Sequence, residues 1–402
     1  MSNTKHFIYL GNLGFPYGLA EIQRTILISK SLLLAGNHVT VVCKKGILNE
    51  KDYPDLKPTG NVQGIEYIYT SGTPFYPPGL IKRNLNKIKG VLNEFSLLRK
   101  RRKENKLDFA ILSTHDFDSV IYYYILSKLF GFKIILNYVE FYSGLKKKRS
   151  QVKATINDKL FDNYAPSLSK AVLPISEFII DHIKKDFPGK DYLKVSVLTD
   201  FDRYNGIEIL EEEKYFLFCG DAGYKETIIF IIDAFAALNN SGNNQRYLYL
   251  VINGRPENVA EIKNYISNNP KKDFIKTFSK LPQKDLFTFY KNAIALLIPL
   301  RPTFQDIARF PHKTGEYLAS GNPVISTNYG EMQHYFKDGV DMLLADEYNI
   351  NKFSAKMQFV IDHPEEVKQI GLKGKEVALA IFDYKTQAPV MDAFFNKLLN
   401  KK

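Results

Sequence analysis

The chain has 402 residues, of which 45% are hydrophobic and 24% charged, and its formal net charge is +12. This length exceeds that of one ordinary hydrophobic core, so two domains are predicted, and the composition is typical of a soluble globular protein. The two cysteines, Cys43 and Cys219, stand far apart in apolar runs, which predicts reduced, buried thiols and no cysteine metal site.

No segment of the chain has the pattern of a signal peptide or a membrane-spanning helix. The first apolar run is too short for a signal peptide. The most membrane-like window, residues 120–136, is interrupted by Lys128 and Lys133 and contains Gly131, a predicted helix C-cap. We therefore expect a core helix followed by a buried strand there, in a cytoplasmic protein.

Predicted strands and helices alternate along the whole chain. In the first half the predicted strands are 7–12, 38–44, 108–115, 133–139, 170–176 and 194–202, and the helices 20–36, 118–130, 154–167 and 177–187. In the second half the strands are 214–220, 246–254, 274–280, 294–300 and 323–327, and the helices 225–240, 258–269, 282–293 and one that opens at Pro311. An acidic stretch near 203–213 separates the two runs.

This alternation predicts the α/β class, with parallel sheets covered by helices on both faces. The two runs predict two Rossmann-like domains, residues 1–202 and 203–380. Residues 381–402 are predicted to form a C-terminal helix that returns to the N-terminal domain.

Two segments of the first half carry most of the positive charge. Residues 80–106 contain ten Lys or Arg against two acids, and residues 144–153 add five more basic residues without an acid. The first segment also has apolar residues at helical spacing: Ile81, Leu85, Ile88, Leu92, Phe95 and Leu98. Three interpretations stay open: a core-packed helix with a solvated basic face, a surface that rests on anionic lipid or meets a charged lipid-linked substrate, and nucleic-acid binding. No nucleic-acid motif supports the third, and we expect no nucleic-acid partner.

Polar residues follow the ends of several predicted strands. They are His115, Asp116, Glu140, Asp221, Lys225, Arg255, Arg301, Asp306 and Glu331, together with the loop "GNLGFPYGLAE". Ligands of parallel α/β sheets bind at the carboxyl ends of strands, next to helix N-termini. We therefore expect a ligand cleft between the two domains.

The stretch "RFPHKTGEYLASGNPVIS" (residues 309–326) is the most informative of these strand ends. Pro311 fits the first position of a helix, whose free N–H groups and dipole attract an anion such as phosphate. Lys313 adds a positive charge, and Glu316 lies three residues on, on the same face. A carboxylate there suits the two hydroxyls of a ribose, and Gly315 lets a ligand approach. The other interpretation is a surface Lys–Glu pair on a capped helix.

Three segments carry a family resemblance. "FPHKTGEYLASGNPVISTNYGEMQHYFKDG" resembles the nucleotide-sugar motif of the retaining glycosyltransferases of family 4, within glycosyl transferases group 1. "GNLGFPYGLAEIQRTILISKSLLLAGNHVTVV" resembles the family's N-terminal glycine-rich loop, helix and strand, and "FSKLPQKDLFTFYKNAIALLIP" the stretch before the donor motif. The resemblance implies the GT-B fold, with two Rossmann-like domains whose sheets face across a cleft. The resemblance also implies that residues 1–202 form the acceptor side and residues 203–380 the donor domain.

The resemblance also implies residue roles. Glu316 would hold the ribose hydroxyls, while Lys313 and Lys225 would neutralise the diphosphate. The implied catalytic residues are His115, Lys225 and Glu316; the implied donor-binding residues are Gly18, Gly223, Lys225, Arg255, Arg309, Lys313, Gly315 and Glu316; and the implied acceptor-side residues are His115, Asp116 and Glu140.

The sequence departs from the family pattern at two places. Ala308 stands where the family has a second Glu, eight residues before the ribose Glu, and Asp221 or Ala222 stands where it often has an Arg. Arg255, Arg301 or Arg309 could supply the missing charge.

The resemblance implies a retaining glycosyltransferase that moves a sugar from a UDP- or GDP-linked donor to a glycan or lipid-linked acceptor, in cell-surface polysaccharide or glycoconjugate synthesis. Cationic side chains would stabilise the leaving diphosphate, and no metal or other cofactor is expected. Its expected place is the cytoplasm, at the inner face of the membrane if residues 80–106 and 144–153 meet anionic lipid. The alternative, motivated by Ala308, is a catalytically weakened relative that acts as a binding partner.

Overall fold

The computed structural model of the chain describes residues 4–18, 20–145, 151–209, 213–238 and 246–401. They form two compact units, one of Met1–Leu198 with Tyr384–Lys402 and the other of Thr199–Asp383. Each unit is an α/β layer structure on its own sheet, so the predicted fold class is confirmed. None of the helices in these ranges is both long enough and apolar enough to cross a membrane.

The first unit is built on eight strands. They are β1 (His6–Leu10), β2 (His38–Cys43), β3 (Thr59–Val62), β4 (Ile65–Tyr69), β5 (Phe109–Leu112), β6 (Lys133–Tyr138), β7 (Ala171–Pro174) and β8 (Asp191–Tyr192). Its helices are α1 (Ala20–Leu34), α2 (Leu80–Lys103), α3 (Phe117–Phe130), α4 (Val152–Tyr164), α5 (Glu177–Asp186) and, from the C-terminus, α14 (Tyr384–Asn400). The strand order is β3-β4-β2-β1-β5-β6-β7-β8, and every pair except β3–β4 is parallel.

The central strands of this sheet are buried on both faces. In the register of β1, Phe7 lies opposite Val39 of β2 and Phe109 of β5. Such strands read as nearly continuous apolar runs because helices cover both sides of a parallel sheet. The helix α14 packs on α1. A buried ion pair of 2.7 Å between Lys5 and Asp392 also fastens it to the first unit.

The strand predicted at 194–202 is wrong. The structure has the two-residue strand β8 (Asp191–Tyr192) before this segment, and a 3₁₀ turn at Phe201–Tyr204 takes up its last two residues. The reason is a buried guanidinium: Arg24 donates to the carbonyl oxygens of Val195 and Ser196 at 2.7 and 2.6 Å. Those carbonyls are therefore taken by a side chain and do not bond a neighbouring strand.

The second unit is built on six parallel strands. They are β9 (Tyr215–Asp221), β10 (Tyr247–Asn253), β11 (Ile275–Phe278), β12 (Ala295–Ile298), β13 (Val324–Thr327) and β14 (Leu343–Ala345). Its helices are α6 (Lys225–Ala236), α7 (Pro256–Ser267), α8 (Gln283–Asn292), α9 (Phe304–Ala308), α10 (Lys313–Ser320), α11 (Met332–Tyr335), α12 (Ile350–Asp362) and α13 (Pro364–Phe382). The strand order is β11-β10-β9-β12-β13-β14.

The basic helix α2 does not pack as a core helix. Its residues Gly90, Glu94 and Leu98 are buried, whereas Ile81 and Leu85 of the predicted apolar face are 77% and 59% exposed. A side chain at position 90 would collide with the chain, since a Cβ there would lie 2.0 Å from the Lys44 carbonyl oxygen. The interpretation of a core-packed apolar face is therefore wrong. In the second basic segment, 144–153, residues 146–150 lie outside the described residues.

Candidate functional site

The sheet of the second unit has a switch point at β9. Its neighbours β10 and β12 both follow it in the chain but lie on opposite sides. At such a point the loops after the two strands part, and the crevice at their carboxyl ends is the usual ligand site of the fold. Here β9 leads through Asp221 to α6, and β12 leads through Arg301 to α9 and α10.

A buried carboxylate organises the loop after β12. Asp306, only 2% exposed, accepts hydrogen bonds from Arg301 Nε at 2.8 Å and from Arg309 Nη2 at 2.6 Å. Burial alone would raise the pKa of Asp306, but the hydrogen bond from Arg301 and the charge of Arg309 outweigh it and hold that pKa below its usual range. The carboxylate is therefore charged at neutral pH and fixes two guanidinium groups beside each other.

The two arginines also bind the loop after β9. Arg309 Nη1 donates to the Tyr224 hydroxyl at 2.7 Å, and its guanidinium carbon lies 4.8 Å from the centre of that ring. Arg301 Nη1 donates to Glu226 at 3.1 Å. The start of α6 and the loop after β12 are thus joined by two cations at the carboxyl edge of the sheet. The sequence placed Arg301 and Asp306 at this strand end, but no sequence signal showed that Asp306 holds both arginines.

The helix α10 carries the predicted phosphate and ribose residues. It begins at Lys313, two residues after Pro311, and ends at Gly321, whose φ of 82° is left-handed. Its first turn places Lys313 and Glu316 together at the carboxyl edge. The Glu316 main-chain oxygen accepts a hydrogen bond from Tyr204. The Glu316 side chain is partly buried, and its carboxylate makes no hydrogen bond or ion pair with the residues that the structure describes.

The Lys313 ammonium sits at the end of β9. Burial opposes its charge, but the Cys219 sulfur and the Glu316 carboxylate favour it, and the net effect raises the pKa of Lys313. Nearby, the buried Tyr317 hydroxyl accepts a hydrogen bond of 2.8 Å from the Cys219 main-chain nitrogen. Lys313 therefore carries its positive charge at neutral pH, at the start of α10. Cys43 and Cys219 are both free and buried, as predicted.

The Lys225 side chain pairs with α7 and contacts neither Asp306 nor its two arginines. It is the first residue of α6, and its ammonium lies 2.5 Å from Glu261 of α7. The pair stands at the edge of a cavity of about 570 Å³ between α6 and α7, which Asp233 and Tyr265 also line. Its chain neighbours Tyr224 and Glu226 accept hydrogen bonds from the two arginines, whereas Lys225 itself pairs with Glu261.

Three other predicted donor residues lie near the same strand ends. Gly223 donates its main-chain N–H to Asp221 at 2.7 Å in the turn before α6. Arg255 is exposed at the start of α7, next to Gly254, where a Cβ would come within 3.2 Å of Ala222. Gly315 is buried in α10.

Position 308 carries no carboxylate and is closed to solvent. Ala308 is fully buried at the end of α9. A glutamate at this position would therefore be buried as well, unless its neighbours moved.

The predicted acceptor-side residues lie in the first unit, at the ends of β5 and β6. His115 is exposed, and its ring stacks on Tyr142 with centroids 4.8 Å apart. Asp116 is exposed at the start of α3. Burial first, then the charges of Glu140 and Glu21, raise the pKa of Tyr142. These groups therefore gather at one edge of the sheet.

Two residues of α1 and its loop complete this description. Glu21 was not singled out by the sequence, although it stands three residues after Gly18; the side chain is solvent-exposed, yet the protein atoms packed around its carboxyl group displace enough water to raise its pKa. Gly18 is exposed in the loop before α1, in the first unit. That Gly18 faces the donor stays a prediction.

No group of three or more His, Cys, Asp or Glu in the described part of the chain is arranged to hold a metal ion.

Comparisons with known proteins find a family match in the second unit. Residues 202–377 match the family model of glycosyl transferases group 1. Residues 202–377 are therefore similar to a group 1 glycosyltransferase domain. An uncharacterized glycosyltransferase of Methanocaldococcus jannaschii is 24% identical over 230 residues, which are 56% of this chain and 59% of that relative's length.

Solved structures resemble the whole chain. The sucrose-phosphate synthase of Thermosynechococcus elongatus has a TM-score of 0.75 at 15% identity, with both chains covered completely. Anabaena HepE, solved with UDP and glucose, has a TM-score of 0.69 at 14% identity over 98% of this chain and 100% of its own. At such identities the likeness shows the fold, and the fold around the glycosyltransferase domain is GT-B.

Proposed function

We propose that this protein is a retaining glycosyltransferase of family 4 that takes a sugar from a nucleoside-diphosphate sugar. The observation that carries the proposal is the arrangement on α10, whose first turn has a charged Lys313 and a Glu316 carboxylate without a hydrogen bond to the described residues. A cation beside a helix start suits a diphosphate, and an open carboxylate accepts hydrogen bonds from two ribose hydroxyls.

The donor proposal favours UDP over GDP. Anabaena HepE, which shares the fold, was solved with UDP and with UDP-glucose. The proposed acceptor is a glycan or a lipid-linked glycan in cell-surface polysaccharide or glycoconjugate synthesis, in the cytoplasm. A structural relative, WaaG, is described as a glycosyltransferase involved in lipopolysaccharide biosynthesis.

The proposed chemistry rests on charge stabilisation. When the sugar leaves, negative charge grows on the diphosphate oxygens, and Lys313, Arg309 and Lys225 would stabilise it where it forms. In the proposed reaction these cations do this work and no metal ion takes part. The acceptor oxygen attacks from the face that the diphosphate leaves, and the diphosphate takes its proton. His115, exposed beside Tyr142, would position the acceptor or a donor hydroxyl.

The experiment is a binding and turnover measurement on the full chain. UDP and GDP are screened by thermal shift, since a ligand of the folded state raises the melting temperature. Release of the nucleoside diphosphate from UDP-sugars is then measured for the wild type and for Glu316→Gln. The matched control is Glu376→Gln, the same change at an exposed site on α13. The proposal fails if no nucleotide stabilises the protein or if the two variants behave alike.

A second candidate is a weakened relative that binds nucleotide sugars without transferring them. The buried Ala308 favours it, because the second family carboxylate is absent and Asp306 is engaged by two arginines. Nucleotide binding without diphosphate release, across a panel of UDP- and GDP-sugars with acceptors, would select this candidate. Release that depends on Glu316 would exclude it.

A further inference from the structure

Three helices of the first unit expose rows of apolar side chains. Of the 26 large hydrophobic residues exposed in the described part of the chain, 14 lie on α2, α3 and α4. On α2 the row includes Ile81, Leu85, Ile88 and Leu92, which are 59–77% exposed. Single exposed hydrophobic residues are ordinary on a protein surface, but rows on adjacent helices mark a contact surface.

The row on α2 lies opposite to the side by which that helix packs. Gly90, Glu94 and Leu98, spaced by four residues, are the buried line. At 100° of rotation per residue, positions 88 and 92 are turned about 160° from position 90. A helix that only covers a sheet turns its apolar side inwards, and α2 does the reverse.

The neighbouring helices continue the surface. The exposed rows of α3 and α4 each repeat at four-residue spacing and include Ile121, Ile125 and Leu129, and Val152, Ile156 and Leu160. The helices touch in this order: the rings of Phe95 and Phe130 are 5.2 Å apart between α2 and α3, and those of Phe117 and Tyr164 are 6.2 Å apart between α3 and α4. The three rows therefore belong to one layer of helices.

The charge of α2 determines which partner suits this surface. The helix has nine Lys or Arg, and its single acid, Glu94, is buried. Lys82, Lys89 and Lys100 lie about 70–90° from the centre of the apolar row, where long side chains can reach out while the row is buried. Apolar side chains flanked by lysines are the pattern of a helix that lies in the interface of an anionic bilayer.

We propose that the outer face of α2, α3 and α4 docks this protein on an anionic lipid bilayer. A second copy of the chain fits less well, because a two-fold contact on this face would set the basic helix against its own copy. The bilayer offers both an apolar layer for the rows and phosphate groups for the lysines. The proposal does not depend on sugar transfer, since docking needs no donor.

The experiment is flotation of the full chain with two kinds of vesicle. One is phosphatidylcholine alone, and the other has a third of the lipid replaced by phosphatidylglycerol. We expect retention on the anionic vesicles only, falling as salt is added. Leu85→Glu on α2 and Ile125→Glu on α3 should each weaken retention by about tenfold or more, the loss of one buried leucine-sized side chain.

The matched control is Leu372→Glu, the same kind of change at an exposed residue of α13 in the other unit, and it should leave retention unchanged. Thermal unfolding of each variant checks that the fold is intact. Equal retention on neutral vesicles, or none on either, overturns the proposal. Loss with Leu85→Glu but not with Ile125→Glu overturns the three-helix face. A dimer in sedimentation velocity that Leu85→Glu dissociates would assign the surface to a second copy instead.

Discussion

Asp306 holds Arg309 through a hydrogen bond of 2.6 Å between Oδ1 and Nη2, two residues from the buried Ala308. The same carboxylate also pairs with Arg301. The loop that lacks the family carboxylate thus has another carboxylate nearby, which orders two cations at the edge of the proposed donor site. The nucleotide end of that site is consequently better defined by the structure than the sugar end.

The first prediction concerns this buried pair. Asp306→Ala should lower the free energy of unfolding by about 3 kcal/mol, because it leaves two partly buried guanidinium groups without their carboxylate. Urea unfolding measures the loss. Glu347→Ala, which breaks an exposed pair with Lys352, should cost less than about 1 kcal/mol. Similar losses in the two variants would mean that Asp306 does not organise the loop.

The second prediction concerns pH and the buried Glu94. Burial raises the pKa of Glu94 to about 7, although the charge of Lys44 and the hydrogen bond from Tyr123 act the other way. A raised carboxyl pKa means that the folded protein holds a proton that the unfolded chain gives up. Stability from this group is present below about pH 4.5 and is lost as the pH rises through 7.

Glu94→Gln tests this dependence. The variant should gain stability relative to the wild type between pH 5 and pH 8, by about 2–3 kcal/mol over that range, since one pKa unit is about 1.4 kcal/mol. Urea unfolding of both proteins is measured at pH 5 and at pH 8. A difference that stays constant with pH would place the Glu94 pKa near its ordinary value.

The third prediction concerns the pair of Lys225 and Glu261. Both side chains are about half exposed, so the pair adds little to stability. If Lys225 reaches the donor phosphates, it must first leave Glu261. Glu261→Gln should therefore tighten UDP binding about two- to fivefold by calorimetry, with unfolding nearly unchanged. Lys225→Ala should weaken UDP binding instead, and an unchanged Kd in both variants would remove Lys225 from the donor site.

The fourth prediction separates the two carboxylate positions of the family motif. Glu316→Ala should weaken UDP binding by about tenfold or more, as expected when a charged hydrogen-bond acceptor is lost, with little change in unfolding. Ala308→Glu should act on the fold instead. Because Ala308 is fully buried, the new side chain should cost about 2–4 kcal/mol of unfolding free energy. Calorimetry and urea unfolding of both variants distinguish the two effects, and a stable Ala308→Glu protein would show that the pocket around α9 can open.

Much of the fold followed from local patterns in the sequence. The strands β1, β2, β5 to β7 and β9 to β13 lie where apolar runs predicted them, because a strand buried on both faces must be apolar almost throughout. The short elements β3, β4, β8 and β14 were missed. The strands β3, β8 and β14 have only two to four residues, too few to show a period, whereas β4 does alternate and was overlooked.

By itself, the sequence determined the alternation of strands and helices, and it put Lys313 and Glu316 on one helix start, since these features depend on residues close together in the chain. Tertiary structure alone decided three other matters. It turned the apolar row of α2 outwards because Gly90 lets the helix approach Lys44 closely. It paired Lys225 with Glu261 and gathered Arg301 and Arg309 on Asp306. Side-chain partners of this kind depend on where separate strands and helices meet, and helical or strand spacing does not record that.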